Sequence, residues 1–253
     1  MIHLNTPYHT GTYFVRFLLE LHPGVRFWRH STSSIRGKRF LEWQNQYKDG
    51  DISRAELFAL LKGILPEDPD WTRQHARNLK YCLRPKLPIA HFLLKNHISF
   101  QEQFFYPDIP TVITIRDPLL SVLTCLRRHG RDPAVQVVSV FHQLATNPPE
   151  NVFYFCTDLW AKDRQKAFDL FEYLGLETTL EVARCVFDWP AINTSAACQT
   201  KSPKAKYEKA RNMLIHDNEI HPLLRGWAKK LQKPEIQDFM ESLGYRNLSW
   251  FLK

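Results

Sequence analysis

The chain opens on MIHLNTPYHTGTYFVRFLLEL (residues 1–21), and this stretch decides the fold. MIHLN reads as a short apolar strand. It runs into Pro7, Gly11 and the hydroxyls of Thr6, Thr10 and Thr12, and residues 12–21 then carry apolar side chains at helical spacing. A strand, a tight turn and a helix start in that order form an anion cradle, because the free N–H groups of a helix N-terminus and its dipole both favour negative charge. The nucleoside-triphosphate version of such a turn reads G-x-x-x-x-G-K-S/T, and here no Lys follows Gly11. The anion expected is therefore something other than a triphosphate.

Working outward, the same alternation continues. FLLKNHISF (92–100) and TVITI (111–115) read as buried strands, and Asp117-Pro118 supplies an N-cap followed by a proline at the first helical position. The helix LLSVLTCLRRHG runs from there to a stop at Gly130, with Arg127, Arg128 and His129 in its last turn. NVFYFC (151–156) is a further strand, and DRQKAFDLFEYLGL a further helix. This βαβα order predicts an α/β fold of three layers, a mostly parallel central sheet with helices on both faces, binding ligands outside the carboxyl ends of its strands.

The whole chain, 1–253, reads as one domain. Its embellishments are an insertion around 30–90, rich in Trp and Arg with a helix at SRAELFALLKGIL, a basic loop NTSAACQTKSPKAKY (193–207), and a helical tail over 208–253 broken at Pro222 and Pro234. Composition (44% hydrophobic, 24% charged) argues against a disordered or fibrous chain. The 34 Lys and Arg against 26 Asp and Glu give +8, which favours an anionic partner without choosing its kind. Five cysteines without a C-x-x-C pair indicate neither a disulfide framework nor a zinc site, and a reducing compartment is expected. No apolar run approaches the roughly 20 residues that span a bilayer, and the first residues enter a strand, so the expectation is a soluble, cytoplasmic protein with no membrane partner.

Four stretches carry groups suited to a doubly anionic nucleotide. In the opening turn the N–H groups of Thr10, Gly11, Thr12 and Tyr13 would cradle a phosphate, with hydroxyls from Thr10 and Thr12; otherwise Thr10 is a helix cap and Gly11 a turn residue. Arg116 leaves a strand where a helix begins, with Ser121 and Thr124 on one face of that helix, which suits bidentate phosphate binding or an ion pair with Asp117. Lys95 and His97 are two apart at a strand end and so share a side of the sheet. There His97 could accept a proton and Lys95 stabilise negative charge, or His97 could serve only a structural hydrogen bond. Lys201, Lys204 and Lys206 lie beside Ser202 and Tyr207 in a basic loop whose default reading is a solvated surface.

In this order the four motifs resemble the superfamily of sulfotransferases that use 3′-phosphoadenosine 5′-phosphosulfate, PAPS. PYHTGTYF is similar to that family's P-K-S-G-T-T-W loop, with Thr10, Gly11 and Thr12 matching and Phe14 in the place of the Trp that lies against adenine. LLKNHISF resembles the family's K-T-H strand end, which implies His97 as catalytic base and Lys95 as its support. TIRDPLLSVLT resembles the 3′-phosphate motif, with Arg116 matching and Thr124 supplying the hydroxyl eight residues on. NVFYFCTDLW resembles the strand bearing E-D-L, with Cys156 and Thr157 where many members have Tyr-Glu, and SPKAKY resembles the basic loop of heparan-type sulfotransferases.

The resemblance implies a P-loop-like phosphosulfate loop, PAPS as co-substrate without a metal, and transfer to a hydroxyl or amine of a small-molecule or carbohydrate acceptor. His9 stands where the family has its loop Lys, so His9 or one of the lysines is expected to serve the leaving group. Residues 30–90 and the tail, with Trp28, Trp43, Arg36 and Arg39, are expected to frame the acceptor. Two other readings stand beside this one: a P-loop small-molecule kinase, and a non-catalytic binder of nucleotide or polyanion. Nucleic acid is not the expected partner.

Overall fold

The computed structural model describes residues 1–28, 35–63, 91–97, 109–129, 131–160, 163–189, 226–227 and 229–245. Five strands form one sheet: β1 (Ile2–Thr6), β2 (Val25–Trp28), β3 (His91–His97), β4 (Thr111–Ile115) and β5 (Val152–Cys156), in the order β2-β3-β1-β4-β5. Every neighbouring pair is parallel, so all five carboxyl ends lie along one edge of the sheet. The chain winds from β1 out to β2, returns to β3, then crosses β1 to reach β4. That reversal at β1 is the place where α/β sheets leave a crevice for ligands.

Alternation along the strands sorts the core into two layers. Ile2 and Leu4 of β1, Val112 of β4 and Phe155 of β5 pack with α1 (Thr12–Leu19), α7 (Arg164–Tyr173) and α8 (Leu180–Asp188). Ile113, Ile115 and Cys156 pack on the other face with α4 (Pro118–His129), α5 (Arg131–Thr146) and α9 (Pro234–Ser242). Successive strand residues serve opposite layers because side chains alternate across a pleated sheet. The expected three layers are thus present, with a sheet that is wholly parallel among the described residues.

Local chemistry sets where helices begin. Asp117 accepts from the N–H groups of Leu119 (2.9 Å) and Leu120 (3.3 Å), with Pro118 as the first residue of α4. Asp163 caps α7 by accepting from Gln165, and Thr179 caps α8 by accepting from Val182. In α3 (Arg54–Gly63) Ser53 and Glu56 form a reciprocal capping box. The break expected at Pro234 is present: a helical stretch ends at Leu231, and Pro234 starts α9.

Five elements go beyond the sequence reading, among them the short α6 (Thr157–Trp160) and α8. β2 is a four-residue edge strand, too short for its alternation to register. α2 (Ile35–Asp49) is polar and contains Gly37, so its periodicity is faint. α5 (Arg131–Thr146) follows α4 after one residue. The first helix also ends sooner than expected, at Leu19, with Glu20 as its C-cap.

Candidate functional site

The turn between β1 and α1 lies at the carboxyl edge of the sheet, beside the reversal at β1. Two of its residues have left-handed backbone: His9 at φ 59° and Gly11 at φ 97°. Gly11 is the N-cap of α1 and makes no side-chain cap, so its carbonyl takes the N–H groups of Phe14 (2.9 Å) and Val15 (3.3 Å). Among the described residues, the N–H groups of Thr10, Gly11 and Thr12 meet no backbone acceptor. This is the unsatisfied first turn that an anion can fill.

The hydroxyls of the turn are used inside the fold. Thr10 is fully buried, donates to Pro7 O (2.8 Å) and lies 2.6 Å from the Thr114 hydroxyl. Thr12 is 6% exposed and pairs with the Thr6 hydroxyl at 2.8 Å. Thr10 thus spends its proton inside the fold and braces the turn, whereas in the Thr6–Thr12 pair either hydroxyl can be the donor.

Two further groups grip the turn from the ends of neighbouring strands. Arg116, just past β4, donates from Nη1 to His9 O (3.4 Å). Thr157, just past β5, places its hydroxyl 2.7 Å from Thr10 O and 3.1 Å from Ile115 O. The Cα of Gly11 faces Thr157 so closely that a Cβ there would lie 2.6–2.7 Å from three Thr157 side-chain atoms.

Register places β3 beside this turn. His97 stands opposite Thr6, the last residue of β1, and Lys95 opposite Leu4. His97 is therefore level with the mouth of the turn, and Lys95 is about 7 Å further back along the strand.

The remaining expected residues are distributed differently. Phe14 is 7% exposed and packs against Phe155 (5.9 Å between ring centroids) and Trp189 (5.5 Å), so most of its ring belongs to the core. Ser121 is fully buried and donates to Asp117 O (3.3 Å), while Thr124 is partly buried and donates to Leu120 O (2.7 Å). Both hydroxyls thus bond back into α4. Lys201, Lys204 and Lys206 lie outside the described residues, as do Ser202, Tyr207 and most of the 30–90 insertion beyond α2 and α3.

No protein-family model matches the sequence, and no curated protein matches it. Three solved structures are similar to the chain: the sulfotransferase STF9 from Mycobacterium avium (12% identity, 87% of this chain and 76% of that one), the sulfotransferase domain from the curacin biosynthetic pathway (13%, 97% and 98%), and the sulfotransferase domain of the Synechococcus PCC 7002 olefin synthase (13%, 97% and 95%). Each superposes with a TM-score of 0.42. At that overlap and identity they assign neither activity nor residue roles to this chain.

Behind the turn lies an acidic cluster that the sequence reading did not single out. Asp158, in α6 (Thr157–Trp160), accepts from the Asp117 N–H at its Oδ2 (3.0 Å) and from the Tyr245 hydroxyl at its Oδ1. Burial, and then the Asp158 charge, push the Asp117 carboxyl up to about 7. Burial also raises the Tyr245 phenol well above its ordinary value, with Asp158 adding to it. No group of three or more His, Cys, Asp or Glu able to hold a metal occurs among the described residues. Among the helices described, none is long and apolar enough to cross a membrane.

Proposed function

We propose that the chain is a sulfotransferase that moves a sulfuryl group from PAPS to an acceptor hydroxyl or amine. The observation that carries the reading is the turn itself: three consecutive N–H groups without backbone acceptors among the described residues, at the reversal of a parallel sheet, level with His97 and gripped by Arg116. The site has the donors that a phosphosulfate needs, and the sequence pattern around it resembles the PAPS-using superfamily.

In this reading the amides of Thr10, Gly11, Thr12 and Tyr13 hold the 5′-phosphosulfate, with His9 and Lys95 adding charge. Arg116, with four donors beyond the one spent on His9 O, meets the 3′-phosphate, assisted by the lysines 201, 204 and 206 and by Thr124, whose hydroxyl would have to turn from Leu120 O to donate. His97 takes the proton of the acceptor group as its oxygen or nitrogen bonds to sulfur. The bond between sulfur and the 5′-phosphate oxygen breaks, and that oxygen leaves on 3′,5′-adenosine bisphosphate. Like phosphoryl transfer, the step draws mainly on in-line positioning and on stabilising the leaving charge.

The experiment is a pair of measurements: thermal stabilisation by 3′,5′-adenosine bisphosphate against equimolar ADP, and mass spectrometry of acceptor mixtures incubated with PAPS. The reading expects a larger shift with the bisphosphate, because a ligand selective for the folded state stabilises by mass action, and a product 80 Da heavier than its acceptor. Equal shifts with ADP point to a kinase. Bisphosphate binding with no sulfated product leaves a non-catalytic nucleotide binder.

A further inference from the structure

We propose that Thr157 is a positioning residue for the anion turn, setting the direction of its N–H groups from outside the turn itself. A trans peptide unit is planar, so its C=O and N–H point opposite ways, and fixing one aims the other. No cis peptide occurs among the described residues. The Thr157 hydroxyl holds Thr10 O at 2.7 Å, which turns the Gly11 N–H to the opposite side. Arg116 does the same for the preceding peptide through His9 O, which turns the Thr10 N–H. With His9 and Gly11 both in the left-handed region around Thr10, these peptides form the alternating backbone of an anion-binding nest.

Thr157 is built for this task. It begins α6 directly after β5 and is only 8% exposed, so water does not readily substitute for its hydroxyl. That hydroxyl has one proton and two carbonyls in reach, and the shorter contact is to Thr10 O. Its methyl and Cβ press on the Cα of Gly11, leaving no space for any other residue type there. Thr157 also stands where the resembling superfamily often has Glu, whose charge would sit against the rear of an anion site.

The inference deepens the phosphosulfate reading and rests on it for the identity of the ligand, so its test has one arm that needs no ligand. Thr157→Val keeps the shape and removes the hydroxyl; Thr157→Ser keeps the hydroxyl. In the unliganded protein, ¹⁵N relaxation should show the Thr10 and Gly11 amides losing order in Thr157→Val, from a rigid value near 0.85 toward about 0.6, and recovering in Thr157→Ser. By calorimetry, affinity for 3′,5′-adenosine bisphosphate should fall about tenfold in the Val variant and return to within about threefold in the Ser variant. If Thr157→Val fails to fold, Thr157→Ala is read in the same two ways. Wild-type order at Thr10 and Gly11 without the hydroxyl, or equal damage from Ser and Val, overturns the role of Thr157. A wild-type protein that ignores the bisphosphate overturns the PAPS reading instead and leaves the relaxation arm to decide on Thr157.

Discussion

The hydroxyls of Thr10 and Thr114 lie 2.6 Å apart in the fully buried interior, and the proton between them belongs to Thr114. Thr10 has one hydroxyl proton and gives it to Pro7 O at 2.8 Å, so it can only accept from Thr114. The two replacements are therefore unequal. Thr10→Val strands both the Pro7 carbonyl and the Thr114 hydroxyl and should cost about 2–3 kcal/mol; Thr114→Val removes one donor and should cost about 1 kcal/mol. Urea unfolding of both single variants and the double variant checks this, the double variant costing less than the sum. A larger loss from Thr114→Val would reverse the proton assignment.

Gly11→Ala should destroy anion binding. The new methyl meets Thr157 at 2.6–2.7 Å on a backbone at φ 97°, combining overpacking with a left-handed penalty, together about 2–5 kcal/mol. Adding Thr157→Ala should not rescue it, because the Thr157 Cβ is itself 2.7 Å from the added methyl. Bisphosphate titration of the single and double variants provides the measurement, and recovery in the double variant would show that the clash lies only with the outer atoms.

Asp117 should make the fold less stable as pH rises from about 4 to 7. Its carboxyl is raised from 3.8 to about 7 by burial and then by Asp158, against the smaller pull of Arg116 and the Leu119 and Leu120 amides. Below pH 4 both states hold the proton and the contribution is fully present. Between the two values only the folded state keeps it, so stability is lost through this window and levels off above it. Asp117→Asn retains an oxygen to cap α4 and removes the titration. Its stability advantage over wild type should widen through the window by at most about 1.4 kcal/mol per pH unit. Unfolding midpoints at pH 4.5, 6 and 8 give the comparison, and a gap that stays constant refutes it.

His97 and His9 should differ in kind. Loss of a general base costs about 10²- to 10⁴-fold in rate, so His97→Ala should abolish transfer while still binding the bisphosphate. His9→Lys places a permanent charge at the turn and should hold or raise turnover, with a flatter pH–rate profile on the basic side, where a histidine loses its charge. Profiles of the three proteins with one acceptor decide the matter; unchanged turnover in His97→Ala would remove it from the reaction.

Local signals explain what could be read in advance. The strand MIHLN, the turn at Gly11 and the Asp117-Pro118 helix start each need only a few adjacent residues, and the structure has all three. The acidic cluster had no such signal, because Asp158 and Tyr245 are 87 residues apart and meet only once the sheet and α9 are assembled. Thr157 was visible only as a departure from the resembling family, and its value comes from Thr10 and Gly11 across the fold. The direction of the Thr10 hydroxyl is likewise illegible: a hydroxyl beside a glycine suits a ligand or a scaffold equally, and Pro7 O and Thr114 determine which.

The contact between Thr157 and Thr10 spans 147 residues, which gives the turn a history as well as a shape. During synthesis the turn emerges 147 residues ahead of Thr157, so it must wait unset while that intervening stretch is made. Joining such distant segments has an entropic cost that no local contact repays beforehand, and parallel sheets built this way fold slowly. Anion affinity should therefore arrive late and abruptly, when β5 docks and not when β1 and α1 first form. A nascent chain stalled before Thr157 would carry the whole PYHTGTYF motif and still have no grip on its ligand.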